Sequence, residues 1–382
     1  MSLVYVIAGE ASGDVLGARL IAALRTRRPD LHFAGVGGAA MAEQGVESLF
    51  PMRELALMGL LEVLPNILHL RRRLEQTVAD ITTRRPVMLV TIDSPGFTLR
   101  VLQKIRPLGI KRVHYVAPQV WAWREGRVKH FPGLWDRLLC LLPFEPEFFA
   151  RHHLPTRFVG HPVLESGADT GNAARFRDQH GLAAEVKILT IMPGSRRTEV
   201  FRLLPILGET LRLIAAHAPG VVPVVPAAGP VAEHVAQATR NWSPRPIIVT
   251  GITEKHDAFA ASTAALTKSG TSTLELALAR VPMIVTYRVN PITAAIALRL
   301  IKVQYASILN LLAHRAVLPE FLQQDCTPTK LAEALLPLLR NPTAAQAQRD
   351  AVRPYLDMLR SPDGKSPSDA AAAAVLELLE QP

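Results

Sequence analysis

The apolar residues fall in short runs separated by longer amphipathic stretches. Val4–Ala8, His32–Val36, Val87–Ile92, Arg112–Ala117 and Arg137–Leu142 are rich in β-branched and aliphatic residues and predict strands. Between them, Val15–Arg27 and Asn66–Thr83 place apolar residues at helical spacing. A repeated order of strand, Gly-rich turn and helix predicts an α/β chain with a mostly parallel sheet covered on both faces. The polar stretch Glu165–Asn172 holds two glycines and follows Gly160-His161-Pro162, so a domain boundary is expected there. The pattern then restarts. Ile188–Met192, Val221–Val225, Ile247–Val249, Ala264–Thr267 and Met283–Thr286 predict strands, with helices at 199–217, 229–240, 254–262 and 271–280. The expected layout is an N-terminal domain (1–165), a second domain (166–342) and an Ala-rich helical segment (343–382). Two successive doubly wound, Rossmann-type domains facing a cleft are GT-B-like by analogy of fold.

Composition narrows this picture. The 382 residues suit two cores of ordinary size, and 49% of them are apolar. No uninterrupted apolar run reaches the roughly 18 residues that a membrane span needs. The N-terminal MSLVYVIAGEASGD lacks a basic leader and a cleavage site, so it is expected to be a buried first strand of a cytoplasmic chain. Cys140 and Cys326 stand far apart and match no metal-ligand spacing. The formal charge of +10, from 43 Lys and Arg against 33 Asp and Glu, favours anionic partners. Aromatic residues are only 5% of the chain, and none interleave with basic residues in the way that stacks bases, so nucleic acid is not expected.

Three turns carry candidate chemistry. Gly9-Glu10-Ala11-Ser12-Gly13-Asp14 follows the first strand directly. It is neither a dinucleotide fingerprint nor a Walker A loop, and its two acids make it a poor phosphate cradle. Glu10, Ser12 and Asp14 suit the hydroxyls of a sugar or acceptor; the alternative is a structural turn capped by Ser12 or Asp14. Met192-Pro193-Gly194-Ser195-Arg196-Arg197 ends the first strand of the second half, where the Arg196 guanidinium suits bidentate capture of a diphosphate. The alternative there is a surface arginine after a turn. In Ser269-Gly270-Thr271-Ser272-Thr273-Leu274-Glu275 a hydroxyl-rich turn opens a helix whose free N–H groups would hold a pyrophosphate. Glu275, one turn on, would accept hydrogen bonds from ribose hydroxyls, or form a capping box with Ser272.

Several blocks together resemble one family. GEASGD at 9–14, IDSPGF at 92–97, YVAPQVWAW at 115–123, GHP at 160–162, PGSR at 193–196, SGTSTLELAL at 269–278 and the region from Asn310 to Pro319–Gln323 are similar to lipid-A-disaccharide synthases, in the same order along the chain. The resemblance implies a GT-B enzyme that joins UDP-2,3-diacylglucosamine to 2,3-diacylglucosamine 1-phosphate (lipid X), making a β(1→6) disaccharide and releasing UDP. It also implies no metal or other cofactor, peripheral attachment to the inner membrane, and a homodimer. Asp93, at the end of a predicted strand, is the expected base for the acceptor hydroxyl, with an N-cap for a helix starting near Phe97 as the alternative. Arg196, Ser269, Gly270, Thr271 and Ser272 are expected at the diphosphate and Glu275 at the ribose. Asn310 and Gln323 are expected as further polar contacts to the donor. The family pattern resembles IDSPDFN; here Gly96 and Thr98 replace its second acid and its amide, which concentrates the base assignment on Asp93.

Glu54–Leu70, ELALMGLLEVLPNILHL, is followed at once by Arg71-Arg72-Arg73. An apolar stretch flanked by cations suits insertion into a membrane surface, and the alternative is an ordinary core segment. His114, Trp121, Trp123 and His161 are read as packing or hydrogen-bonding residues. The competing readings are another UDP-sugar protein of the same fold, such as the peptidoglycan-precursor transferase or a UDP-sugar epimerase, and a non-catalytic binder of anionic lipid or nucleic acid.

Overall fold

The computed structural model describes residues 2–55, 67–227, 229–290 and 303–381. The chain forms two compact units, Met1–Pro162 with Leu359–Pro382, and Val163–Met358. In the first, the strands are β1 (Ser2–Ala8), β2 (Leu31–Val36), β3 (Met88–Ile92), β4 (Lys111–Tyr115), β5 (Arg137–Cys140) and β6 (Thr156–Phe158). Their order is β2-β1-β3-β4-β5-β6, with every pairing parallel. The second holds β7 (Ile188–Met192), β8 (Val222–Pro226), β9 (Ile247–Val249), β10 (Ala264–Lys268), β11 (Met283–Tyr287) and β12 (Glu320–Leu322). Their order is β12-β11-β10-β7-β8-β9, again parallel throughout.

Both sheets are buried on both faces, which is why their strands read as continuous apolar runs rather than as alternations. In β1, Val4, Val6 and Ala8 pack with the helix Ala11–Arg27, while Tyr5 and Ile7 join the core beneath the helices Ile67–Arg84 and Pro95–Ile105. The Tyr5 hydroxyl escapes burial without a partner by donating to Asp80 at 2.8 Å.

The expected elements recur within a few residues of their predicted places, with three differences. The short edge strands β6 and β12 carry no fully buried residue and so leave no apolar signature. The helix predicted from Phe97 begins at Pro95, because proline at a first helical position forfeits no hydrogen bond. The stretch 343–382 is not one segment. Pro342–Asp357 packs in the second unit, where Gln348 bonds the main chain of Met283 on both sides, at 2.6 and 2.9 Å. Pro367–Glu380 returns to the first unit and covers its sheet with Ala370, Ala371, Ala374, Val375 and Leu378. Arg137 fixes it at the Ala374 carbonyl, 3.0 Å away, and Arg27 pairs with Asp369 at 2.8 Å. A doubly wound sheet needs both faces covered, and the apolar face of β1, β3 and β4 supplies the reason for the return. Gly160 (φ 86°) and His161 meet this segment, His161 N donating to the Leu359 carbonyl at 2.8 Å.

Candidate active site

In the first unit the chain runs from β1 outward to β2, then returns to lay β3 on the other side of β1. Such a reversal leaves a crevice at the carboxyl ends of the two strands on either side of it. Ala8 pairs with Ile92, and Ile92 with Tyr115, so Gly9-Glu10, Asp93-Ser94 and Val116-Ala117 emerge side by side at this edge. The backbone there is unusual: Asp93, Ser94 and Val116 have φ of 50°, 46° and 77°. A β-branched residue at positive φ is a true outlier, and such conformations cost about 1–3 kcal/mol each and gather at functional sites.

Asp93 is locked from both sides. Its N–H donates to the Tyr115 carbonyl at 2.9 Å, and its own carbonyl accepts from Thr98 Oγ1 at 2.7 Å. Thr98, one of the two departures from the family pattern, therefore helps hold the turn that presents Asp93. Gly96, the other, is exposed, and a Cβ there would touch nothing within 4 Å. The residue in the capping position is Ser94, not Asp93, so the half-buried Asp93 carboxylate is not spent on a helix cap. Gly9 is required by this packing, since a Cβ on it would stand 2.2 Å from Ser94 Oγ.

GEASGD divides its labour. Glu10 occupies the cap position of the helix Ala11–Arg27 in extended conformation, and Ser12 is exposed in the first turn. Asp14 has a structural task in place of the expected substrate contact. It is 5% exposed and accepts from the N–H groups of Gly38, Ala40 and Met41 at 2.7, 2.9 and 3.1 Å. Those bonds cap the five-residue helix Ala39–Glu43, so both carboxylate oxygens are engaged inside the fold. The YVAPQVWAW block is likewise fixed from within: Trp121 Nε1 donates to Glu145 at 3.1 Å and stacks edge-on against Phe144. Burial pushes the Glu145 carboxyl up to about 7, against the pull of N–H donors from Leu142, Trp121 and Leu141. His114 lies wholly in the core, bonded to Thr91 and stacked on Trp135, and burial lowers it to about 3; His161 is lowered to about 4 by the same cause.

In the second unit the reversal lies between β7 and β10, whose carboxyl ends pair at Met192 and Thr267. It sets the turn Pro193–Arg196 beside the turn Lys268–Gly270 and the start of the helix Thr271–Leu278. The fold places together the two turns whose sequences suit one diphosphate. The hydroxyls are used otherwise than expected. Ser269 donates to the Ala306 carbonyl at 2.8 Å and its N–H to the Thr286 carbonyl at 2.9 Å, so Ser269 shapes the turn and has no donor left for a phosphate oxygen. Ser272 Oγ donates to the Lys268 carbonyl at 3.2 Å. The capping box of Ser272 with Glu275 does not form: Gly270 is the cap residue, and no side chain caps the helix. What remains for an anion is the main chain at the cap residue Gly270 and at Thr271 and Ser272, where N–H groups lack intrahelical acceptors, with the exposed Thr271 hydroxyl. Glu275 is held by Lys255, whose Nζ reaches its two oxygens at 3.0 and 3.1 Å.

Asn310 is not available to a ligand. It is fully buried, its amide donates to the Leu318 carbonyl and to Glu320, and its oxygen accepts from the N–H groups of Val317 and Leu318, all within 2.7–2.9 Å. Gln323, with φ of 49°, directly follows β12, and its side-chain oxygen accepts from Val289 N–H at 3.3 Å. Four charged or polar groups at this edge stand outside the residues that the motifs nominate: Lys255, Lys268, Glu199 and Tyr287. Two had a signal, since Lys268 directly precedes Ser269-Gly270 and Glu199 lies three residues after Arg196.

Comparison with known proteins gives one consistent result. Residues 4–374 match the family described as lipid-A-disaccharide synthetase. A lipid-A-disaccharide synthase of Granulibacter bethesdensis is 58% identical, with 99% of each chain covered. Among solved structures, a UDP co-structure of MnaA from S. aureus superposes with a TM-score of 0.67 at 14% identity, covering 100% of this chain and 99% of that one. The glycotransferase of kitacinnamycin superposes with a TM-score of 0.65 at 16% identity, over 99% and 98% of the two chains. The fold is thus the GT-B fold of glycosyltransferases and related epimerases.

Proposed function

The chain belongs to the lipid-A-disaccharide synthetase family, and on that footing we propose how the two strand edges divide the reaction. The reaction is the glycosyl transfer that forms the lipid A disaccharide, from UDP-2,3-diacylglucosamine and 2,3-diacylglucosamine 1-phosphate. The acceptor belongs to the β1/β3 edge, where Asp93 takes the proton of the attacking hydroxyl as that oxygen bonds to the anomeric carbon. Glu10 and Ser12 stand beside it for acceptor or sugar hydroxyls. UDP belongs to the β7/β10 edge, with Arg196 and the main chain of Gly270, Thr271 and Ser272 on the diphosphate and Glu275 on the ribose. Gln323 is a further donor contact. The bond from the anomeric carbon to the diphosphate breaks with its electron pair, and fixed positive groups at the β7/β10 edge stabilise the charge that develops. The supporting observation is that each set, assembled from segments distant in sequence, gathers at the reversal of its own sheet.

Cationic side chains and helix N–H groups meet the charge on UDP, so transfer should need no metal, and a chelator should leave turnover unchanged. We also place the chain in the cytoplasm, bound peripherally to the inner membrane. Of the apolar stretch Glu54–Leu70, residues 56–66 lie outside the described residues. Ile67 and Leu68, within the stretch, are 54% and 77% exposed, close to the exposed Arg71 and Arg72. Among the described residues no helix is long and apolar enough to cross a membrane. Flotation with anionic vesicles tests the attachment, and sedimentation tests the homodimer that the family membership suggests. The decisive assay mixes the purified chain with both acylated sugars and looks for disaccharide by mass and for released UDP. Absence of both products from a folded sample would refute the assignment.

A further inference from the structure

The side chain of Lys268 occupies a place where a cation is normally unwelcome. It ends β10, and its Nζ would lie 3.5 Å from a Cβ built on Gly270, the cap residue of the helix Thr271–Leu278. The N-terminus of a helix carries a partial positive charge of about half a unit and normally attracts anions, so an ammonium there opposes the usual arrangement. Its stem reaches the other turn as well, Cδ lying 3.6 Å from the Cβ position of Gly194. Two groups hold it in place. Glu199 Oε1 forms an ion pair with Nζ at 3.1 Å, and the Tyr287 ring lies 5.3 Å away in cation–π geometry.

The same Glu199 oxygen stands 3.5 Å from Arg196 Nη1. One carboxylate, in the first turn of the helix Arg197–His217, therefore faces two cations. Glu199 is 7% exposed, and its second oxygen is buried with no hydrogen-bond partner among the described residues. Positive groups are thus concentrated beyond what the buried carboxylate balances, around a turn whose glycine leaves the main chain open. That imbalance fits an anionic occupant carrying more than one charge.

We propose that Lys268, positioned by Glu199, is a second cation for the diphosphate of the nucleotide sugar, acting with Arg196 and the helix N–H groups. The proposal rests on the β7/β10 edge being the donor site. When the diphosphate arrives, Nζ turns from Glu199 toward a phosphate oxygen, and the carboxylate keeps the two cations from dispersing into solvent while the site is empty. Lys268 is a binding residue here, and Glu199 a positioning residue.

Calorimetric titration of the full chain with UDP and with uridine tests this. Lys268→Met keeps the length of the stem and removes the charge. It should weaken UDP binding by at least about tenfold, the lower range for one charge-assisted hydrogen bond, and leave uridine affinity unchanged. Lys268→Arg should retain most of the UDP affinity. Equal UDP affinity in Lys268→Met and the parent chain would overturn the proposal. A parent chain that binds neither UDP nor uridine would instead overturn the donor-site reading on which it rests. A second measurement needs no variant: an amine-reactive label, read by peptide mass spectrometry, should be blocked at Lys268 by UDP and not by uridine. Equal labelling under both ligands would likewise refute the role.

Discussion

At the scale of single residues, side chains of similar promise proved to have different duties. Asp93 and Asp14 both lie just beyond the carboxyl end of an apolar strand. Asp14 is enclosed by three N–H donors of a neighbouring helix, whereas Asp93 is fixed through its main chain and keeps its carboxylate at the strand edge. That contrast gives a sharp expectation. Asp93→Asn preserves shape and should lower turnover by about 10²–10⁴-fold, the usual range for loss of a general base, while UDP affinity measured by calorimetry stays at the parent value. Near-parent turnover in a folded Asn variant would remove Asp93 from the role. Asn310 illustrates the opposite outcome: a polar residue in a family block whose every hydrogen bond is spent on holding Val317–Glu320 in place.

At the scale of elements, short helices and turns depend on capping from elsewhere. The helix Ala39–Glu43 spans little more than one turn, far below the length at which a helix is stable alone. Asp14 supplies acceptors for its first amides, so Asp14→Ala should destabilise the first unit by about 2–3 kcal/mol, read from urea unfolding. An unchanged midpoint would show that the cap carries no weight. Strand β4 and the turn after β6 carry a pH dependence. Burial lowers His114 to about 3 and His161 to about 4, so between those values and about 6.5 the unfolded chain binds protons that the folded chain refuses. Their contribution is complete above about pH 6.5 and is lost as pH falls, at about 2 kcal/mol for each by about pH 5. Glu145, raised to about 7, works in the opposite direction, since the folded chain keeps a proton that the unfolded chain gives up as pH rises. His114→Gln should therefore flatten the acid side of the stability profile and leave the neutral side in place. An identical acid slope in the two proteins would contradict this account.

At the scale of the whole molecule, the return of the C-terminus to the first unit is the feature with most consequence. Pro367–Glu380 buries Ala371, Ala372, Ala374 and Val375 completely against the first sheet. A chain ending at Met358 should lose the cooperative unfolding transition of the first unit and keep that of the second, as scanning calorimetry would show. Two intact transitions in the shortened chain would mean that this helix is dispensable.

Most strands and the order of the motif blocks were legible in the sequence, because burial on both faces writes an apolar run into most of the strands. The resemblance of GEASGD, PGSR and SGTSTLELAL to the family was legible for the same local reason. The edge strands β6 and β12 were not, since half-buried three-residue strands carry no pattern. Nor were the duties of individual polar groups. Asp14 finds its partners 24 to 27 residues away, Ser269 at Ala306, and Lys268 at Glu199. The sequence by itself determined the kinds of elements, the anion-suited turns and the family. The tertiary structure decided which donors and acceptors each side chain meets, and hence which polar groups remain available for chemistry. The physical reason is that strand and turn preferences arise from neighbouring residues, whereas hydrogen-bond and ion-pair partners are assigned only when strands remote in sequence are laid side by side.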